Sequence, residues 1–314
     1  IGICGYLVRR KNFRKNSIGT DQKGIKIRIM LTRFKFLTAG ESHGQGLLGI
    51  LDGIPAGLEI SEDYIDLQLT RRQMGYGRGG RMKIEKDRAE IWCGVRHGLS
   101  LGAPVGLIVR NKDWENWTKK MSVSPVDDEI HRVTLPRPGH ADLAGVQKYG
   151  FDDIRNVLER SSARETTMRV ALGSVSRKLL EDVGIEVGSR VVEIHDVKDE
   201  SVIPDGLSPN QLSETADTSP VRCLDKDAET AMIATIDDAK TAGDSVGGIF
   251  EVIATGLPYG LGAHTQWDRK LHTRITAMMM SVNAFKGIEI GGGFSGTEKF
   301  GSEVHDEIGY DGEK

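Results

Sequence analysis

The sequence predicts a globular protein of mixed helix and strand, folded as one interlocked domain, on three observations. Short runs of β-branched and aromatic residues alternate with segments whose apolar residues recur three and four apart. Hydrophobic residues make up 38% of the 314, and 39 glycines bring the apolar share to roughly half, the ordinary globular value. No Ser- or Pro-rich linker divides the chain, the stretch from Ser201 to Pro220 being the nearest to one.

Six strands are predicted in order: Phe34 to Thr38, Leu47 to Leu51, Ala89 to Val95, Val105 to Val109, Val191 to Val197 and Ile249 to Thr255, each bounded by Gly, Pro or Asp. Four helices carry clearer signals. Ser61 caps the first, with Glu62 and Asp63 in its first turn and Arg71 and Arg72 in its last, before Gly75. Ser162 and Glu165 have the spacing of a capping box ahead of Met168, Leu172, Val175, Leu179 and Val183, and Gly184 stops that helix. Asp227 to Ala242 and Asp268 to Phe285 follow the same logic, with Met278 to Met280 read as core filler. GIPAGL at Gly53 to Leu58 is echoed by GLPYGL at Gly256 to Leu261, each between a strand and a helix, which suggests two related halves.

No apolar stretch approaches the ~18 residues of a membrane helix. Cys4, Cys93 and Cys223 are scattered singly, so no disulfide framework is built from sequence neighbours and a reducing compartment is expected. Net charge is −3, unevenly spread. Residues 1–29 carry eight Lys or Arg against the single acid Asp21, which leaves the remainder at about −10. This segment has no starting Met or apolar h-region, and is read as an appended extension outside the fold, with a transit peptide as the alternative.

Positive charge in the body is local. Between Asp66 and Glu85 lie Arg71, Arg72, Arg78, Arg81 and Lys83, no acid, and the loop GYGRGGR. Glycines let the backbone approach a ligand while guanidinium forks grip phosphate or carboxylate. The loop also matches GxGxxG from Gly75, but it follows a helix rather than a strand, so the dinucleotide reading fails its context. Arg160, Ser161, Ser162 and Arg164 stand where a predicted helix begins, a second place for an anion. His43 in GESHG and His140 in RPGH occupy Gly-rich loops and are candidate acids or bases. The other six histidines are read as ordinary surface residues. Ser42 beside His43 lacks the GxSxG of a hydrolase, and HExxH and the P-loop pattern are absent.

These segments together resemble the chorismate synthase family. GESHG, RRQMGYGRGGRMKIE, GVRHG, RPGHADL, RSSARETTMRVALG and QWDRKL followed by SVNAFKGIEIG occur in the family's order, from Met30 to about Glu307. The resemblance implies an α+β fold, a β-α-β sandwich with helices between two antiparallel sheets, which suits the two-half echo. It implies a cytoplasmic homotetramer of the shikimate pathway, bound to neither membrane nor nucleic acid. Its lyase activity converts 5-enolpyruvylshikimate 3-phosphate to chorismate by anti 1,4-elimination of phosphate, with reduced FMN.

By the same resemblance His43 protonates the departing phosphate and His140 controls protonation at the flavin. Ser42, Arg72, Arg78, Arg81 and Arg137 match substrate positions. Arg160, Ser161, Ser162, Asn283 and Ala284 match flavin contacts, and Arg72 and Arg78 also match NADPH positions of members that reduce their own flavin. Residues 30–314 are expected to form the family domain without its C-terminal segment: the family's Lys-Pro-Ile flavin segment and its Arg-Ser-Asp motif, whose Asp is the proposed proton acceptor, have no counterpart here. A reading from another class is an inactive, anion-binding or subunit-like protein derived from the enzyme.

Overall fold

The computed structural model describes residues 7–11 and 25–29 as backbone, and residues 33–79 and 84–310 in full. Arg81 and most of the basic extension lie outside the described residues. Residues 32–259 form one compact unit, and residues 1–31 with 260–314 a second. In the second unit β1 (Leu7–Lys11) pairs antiparallel with β2 (Ile25–Ile29).

The first unit is built on a four-stranded antiparallel sheet. Its strands β3 (Lys35–Gly40), β4 (Gly46–Asp52), β6 (Ala89–Cys93) and β9 (Val105–Arg110) lie in the order β3-β4-β9-β6. A small sheet of β5 (Ala56–Glu59), β7 (Val95–Arg96) and β8 (Leu99–Leu101) adjoins it in sequence. The predicted strand from Ala89 to Val95 is thus split between two sheets. Gly94 makes the break at φ +84°, with a would-be Cβ 2.4 Å from the Pro104 carbonyl. A run of β-branched residues does not encode such a change of partner.

Alternation along β4 explains which face carries the core. Leu47, Gly49 and Leu51 are buried while Leu48 and Ile50 are exposed, as a side-chain period of two requires. On the buried face lies α4 (Glu165–Asp182), with Met168, Ala171, Leu172 and Val175 fully enclosed. Gly49 permits the approach: a Cβ there would stand 2.5 Å from the Met168 sulfur. Beside α4 runs α1 (Glu62–Gln73), whose Ser61 hydroxyl accepts from the Tyr64 amide as the sequence predicts, and which adds Ile65 and Leu69 to the same core.

On its other side α4 meets β10 (Glu186–Ile194), the centre of a second antiparallel sheet with β11 (Val197–Lys198) and β12 (Gly248–Thr255). Helix between two antiparallel sheets is the β-α-β sandwich the resemblance implies. The two echoed glycines perform the same task in each half. Gly53 after β4 (φ +98°) and Gly256 after β12 (φ +73°) sit where a Cβ would strike the carbonyl of Arg33 or Gly184, just ahead of the partner strand.

Three expectations are corrected. The predicted helix start at Ser162 is corrected: α4 begins at Glu165, whose carboxylate accepts from Thr38 and Arg169, while the Ser162 hydroxyl accepts from the Arg164 amide in the preceding turn and donates to Ser42. The stretch from Ser201 to Pro220 is no linker, since it contains a helix at Pro209–Asp217 with a complete capping box between Ser208 and Gln211. The helix predicted from Asp268 to Phe285 is shorter, Leu271–Met280 after a single 3-10 turn, and Met278 and Met279 are half-buried. The expected helix from Asp227 forms as Lys226–Thr241, capped by Asp225. No described helix is long and apolar enough to cross a membrane.

Candidate active site

His43 is placed by the tight turn between β3 and β4. Gly40 opens the turn at φ +103°, where a Cβ would lie 2.4 Å from the Gly46 carbonyl, so only glycine fits. Asn111 pins the turn from the end of β9, its amide donating to the carbonyls of Glu41 (3.1 Å) and Gly44 (2.8 Å). The imidazole is held from two directions. Nδ1 lies 2.9 and 3.0 Å from the two carboxylate oxygens of Glu159, and the ring stacks on Trp117 with centroids 4.0 Å apart.

Glu159 is itself enclosed, its side chain 1% exposed. Burial alone would push its carboxyl up, but the His43 hydrogen bonds and the charges of His43 and Arg155 outweigh that and hold it below the usual carboxylate range. Arg155 approaches Glu159 to 3.4 Å and also lies over the Trp117 ring.

Around His43 the structure gathers several residues that the sequence singled out. The Ser42 amide donates to the Glu159 carbonyl, and its buried hydroxyl accepts from Ser162 at 3.1 Å. Arg160 reaches back to the Thr38 carbonyl and hydroxyl, both at 2.8 Å. Ser161 donates to the Val157 carbonyl. Arg72, at the end of α1, meets the same segment through Thr166 (3.0 Å) and the Ala163 carbonyl (3.2 Å). Burial pulls its guanidinium down to about 10, against Asp87 and with Arg164 and Arg78 adding to the fall. Arg78 is exposed and donates to the Arg72 carbonyl. Arg164 has a different role from its neighbours: it is buried on Asp87 (2.5 Å) and Asn111 (2.9 Å) and faces inward.

His140 belongs to a second cluster. Pro138 and Gly139 (φ +70°) occupy the corner of a turn closed by the His140 amide on the Arg137 carbonyl at 3.3 Å. The turn leads into α2 (Asp142–Tyr149), whose first residue is a buried carboxylate. Asp142 accepts from the Arg137 amide and Nε, both at 3.1 Å, and hydrogen-bonds His140 Nδ1. Burial would raise the Asp142 carboxyl, and the bonds from Arg137 and His140 prevail in lowering it. α2 packs on α3 (Arg155–Leu158), the helix that ends beside Glu159. Asn283 and Ala284 belong to the other unit, in the turn after Leu271–Met280, where Ala284 adopts a left-handed φ of +71°.

The sequence profile of the chorismate synthase family matches residues 34–313. The chain belongs to the chorismate synthase family. Chorismate synthases of Geobacillus (strain WCH70) and Listeria welshimeri are 53% and 52% identical to it, covering 89% and 87% of this chain and 72% and 71% of their own lengths. A crystal structure of a chorismate synthase superposes with a TM-score of 0.74 at 43% identity, over 90% of this chain and 76% of that one. The chain is therefore a member of a lyase family of the shikimate pathway, with the fold of chorismate synthase. Glu159, Asp142 and Trp117 were not singled out as site residues from the sequence. Asp142 stands two residues from His140 within the family motif RPGHADL and had a local signal. Glu159 meets His43 across 116 positions, and only the fold joins them.

Proposed function

We propose that the protein catalyses the anti 1,4-elimination of phosphate from 5-enolpyruvylshikimate 3-phosphate to give chorismate, with reduced FMN. The observation that carries the reading is His43, backed by a buried carboxylate and set in a turn that Ser162 meets through Ser42 and Arg160 through Thr38, with Arg72 on the segment after Ser162: a phosphorylated, doubly carboxylated substrate needs such cations and a proton donor. A phosphate-bearing cofactor suits the same chemistry. The 18-residue α4 offers its positive end near Arg160, Ser161 and Ser162, and Arg72, whose Nη1 lies 3.5 Å from the Asp87 carboxylate, adds a guanidinium on the same segment.

The elimination breaks a ring C–H and the C–O bond to phosphate: the C–H pair enters the new diene and its hydrogen leaves as a proton to the medium, while the C–O pair goes to the leaving oxygen, to which His43 gives a proton. Ser42, Arg72, Arg78, Arg81 and Arg137 bind and orient the substrate through charge-assisted bonds to its phosphate and carboxylates. Arg160, Ser161 and Ser162 bind the flavin, Asn283 and Ala284 match flavin contacts of the family, and His140, braced by Asp142, keeps a proton available to it. Reduced FMN, when bound, supplies electron density that eases departure of phosphate without net redox change. Arg72 and Arg78 also serve NADPH if the protein reduces its own flavin. A cytoplasmic homotetramer whose catalytic domain is residues 30–314 completes the reading.

His43→Ala tests it. With saturating, chemically reduced FMN, turnover should fall by roughly 10²- to 10⁴-fold, the range for loss of an acid–base group. Turnover within a factor of about two of the wild type removes His43 from the chemistry.

A further inference from the structure

We infer that Glu159 is a positioning residue for His43: its buried carboxylate fixes the imidazole with hydrogen on Nδ1, so that Nε2 is the atom presented for proton transfer. The inference rests on the proposed role of His43 and deepens it.

An ionised carboxylate only accepts hydrogen bonds. Glu159 is kept ionised by its neighbours, and both its oxygens converge on Nδ1, at 2.9 and 3.0 Å. Nδ1 must therefore carry hydrogen, and in the neutral ring Nε2 is left with the lone pair. The same carboxylate reads the backbone as well, since Oε2 accepts from the His43 amide at 2.8 Å. Two bonds to one residue fix both the turn and the ring, and the Trp117 face at 4.0 Å restricts ring rotation. Glu159 is anchored in turn by Arg155 and by the Ser42 amide on its carbonyl. A carboxylate so enclosed is costly to bury, and here it is directed at a single imidazole. Holding the tautomer and orientation of a catalytic imidazole is what buried carboxylates do in other acid–base sites.

Nitrogen-15 NMR of the histidine-labelled full chain, at alkaline pH where the ring is neutral, reads the tautomer directly. The expected spectrum has His43 protonated on Nδ1, and an Nε2–H tautomer in the wild type overturns the inference whether or not any variant folds. Glu159→Gln keeps the volume but can donate as well as accept. It should shift His43 toward the Nε2–H form and lower kcat by about 10- to 100-fold, the usual effect of losing a supporting hydrogen bond behind a functional imidazole. Substrate KM should change far less, because the substrate-binding residues remain. Glu159→Asp, which restores the charge, should recover part of kcat. A Gln variant with the wild-type tautomer and wild-type kcat contradicts the positioning role. A wild type that shows the Nδ1–H tautomer yet forms no chorismate overturns the functional reading while supporting the positioning.

Discussion

His43 and His140 are braced alike, each by a carboxylate withdrawn from water: Glu159 behind one, Asp142 behind the other, both 1% exposed. This has a consequence in acid. The Asp142 carboxyl is held below its ordinary value in the folded protein, because the Arg137 and His140 bonds outweigh burial. The unfolded chain then binds the proton more readily. The carboxylate contributes stability that is fully present above the unfolded pKa of about 4 and is lost as pH falls through the lower folded pKa. Urea unfolding from pH 7 down to pH 3 should show a steeper loss below about pH 4 in the wild type than in Asp142→Asn, whose side chain does not titrate. Equal slopes would mean that Asp142 is not held down by its partners. The two histidines were legible because each stands in a Gly-rich turn, whereas the carboxylate behind His43 was not, since a contact across 116 residues leaves no local pattern.

At the scale of elements, a small residue on a strand decides how close α4 can lie to the first sheet. Gly49 sits in the buried row of β4 between Leu47 and Leu51, with Met168 and Leu172 over it. Gly49→Val should therefore destabilise the fold by about 1–3 kcal/mol through overpacking, read as a lower urea midpoint with an unchanged m-value. An unchanged or raised midpoint would show that α4 yields freely and that the contact is not tight. Strands were legible as alternating or β-branched runs, and α1 as a capped helix, because those signals act within a few residues. Ser162 misled for a physical reason: its hydroxyl accepts from the Arg164 amide at 3.2 Å while donating to Ser42, so it holds the turn that precedes the helix, and the helix itself begins only at Glu165. Ser208, followed by Pro209 and Gln211, carried a true capping box within a stretch whose composition resembled a linker.

At the scale of the whole molecule, a chain of net charge −3 places arginines in both histidine clusters. Arg160 meets the strand that leads into the His43 turn, Arg72 meets the start of α4 with Arg78 on its carbonyl, and Arg137 stands beside His140. Such a local positive field in an otherwise acidic protein favours capture of a multiply charged anion and weakens with salt. The family's long ungapped motifs make these arginines legible in the sequence. What the motifs could not convey is the division of labour within them, for Arg164, inside the same run as Arg160, is turned inward to neutralise Asp87. The measurement that bears most directly on the account is an anaerobic incubation of the protein with 5-enolpyruvylshikimate 3-phosphate and chemically reduced FMN, followed by separation and quantification of products. Equimolar chorismate and inorganic phosphate, formed with reduced but not with oxidised FMN, is the predicted result. Phosphate released without chorismate, or no product at saturating reduced FMN, would contradict it.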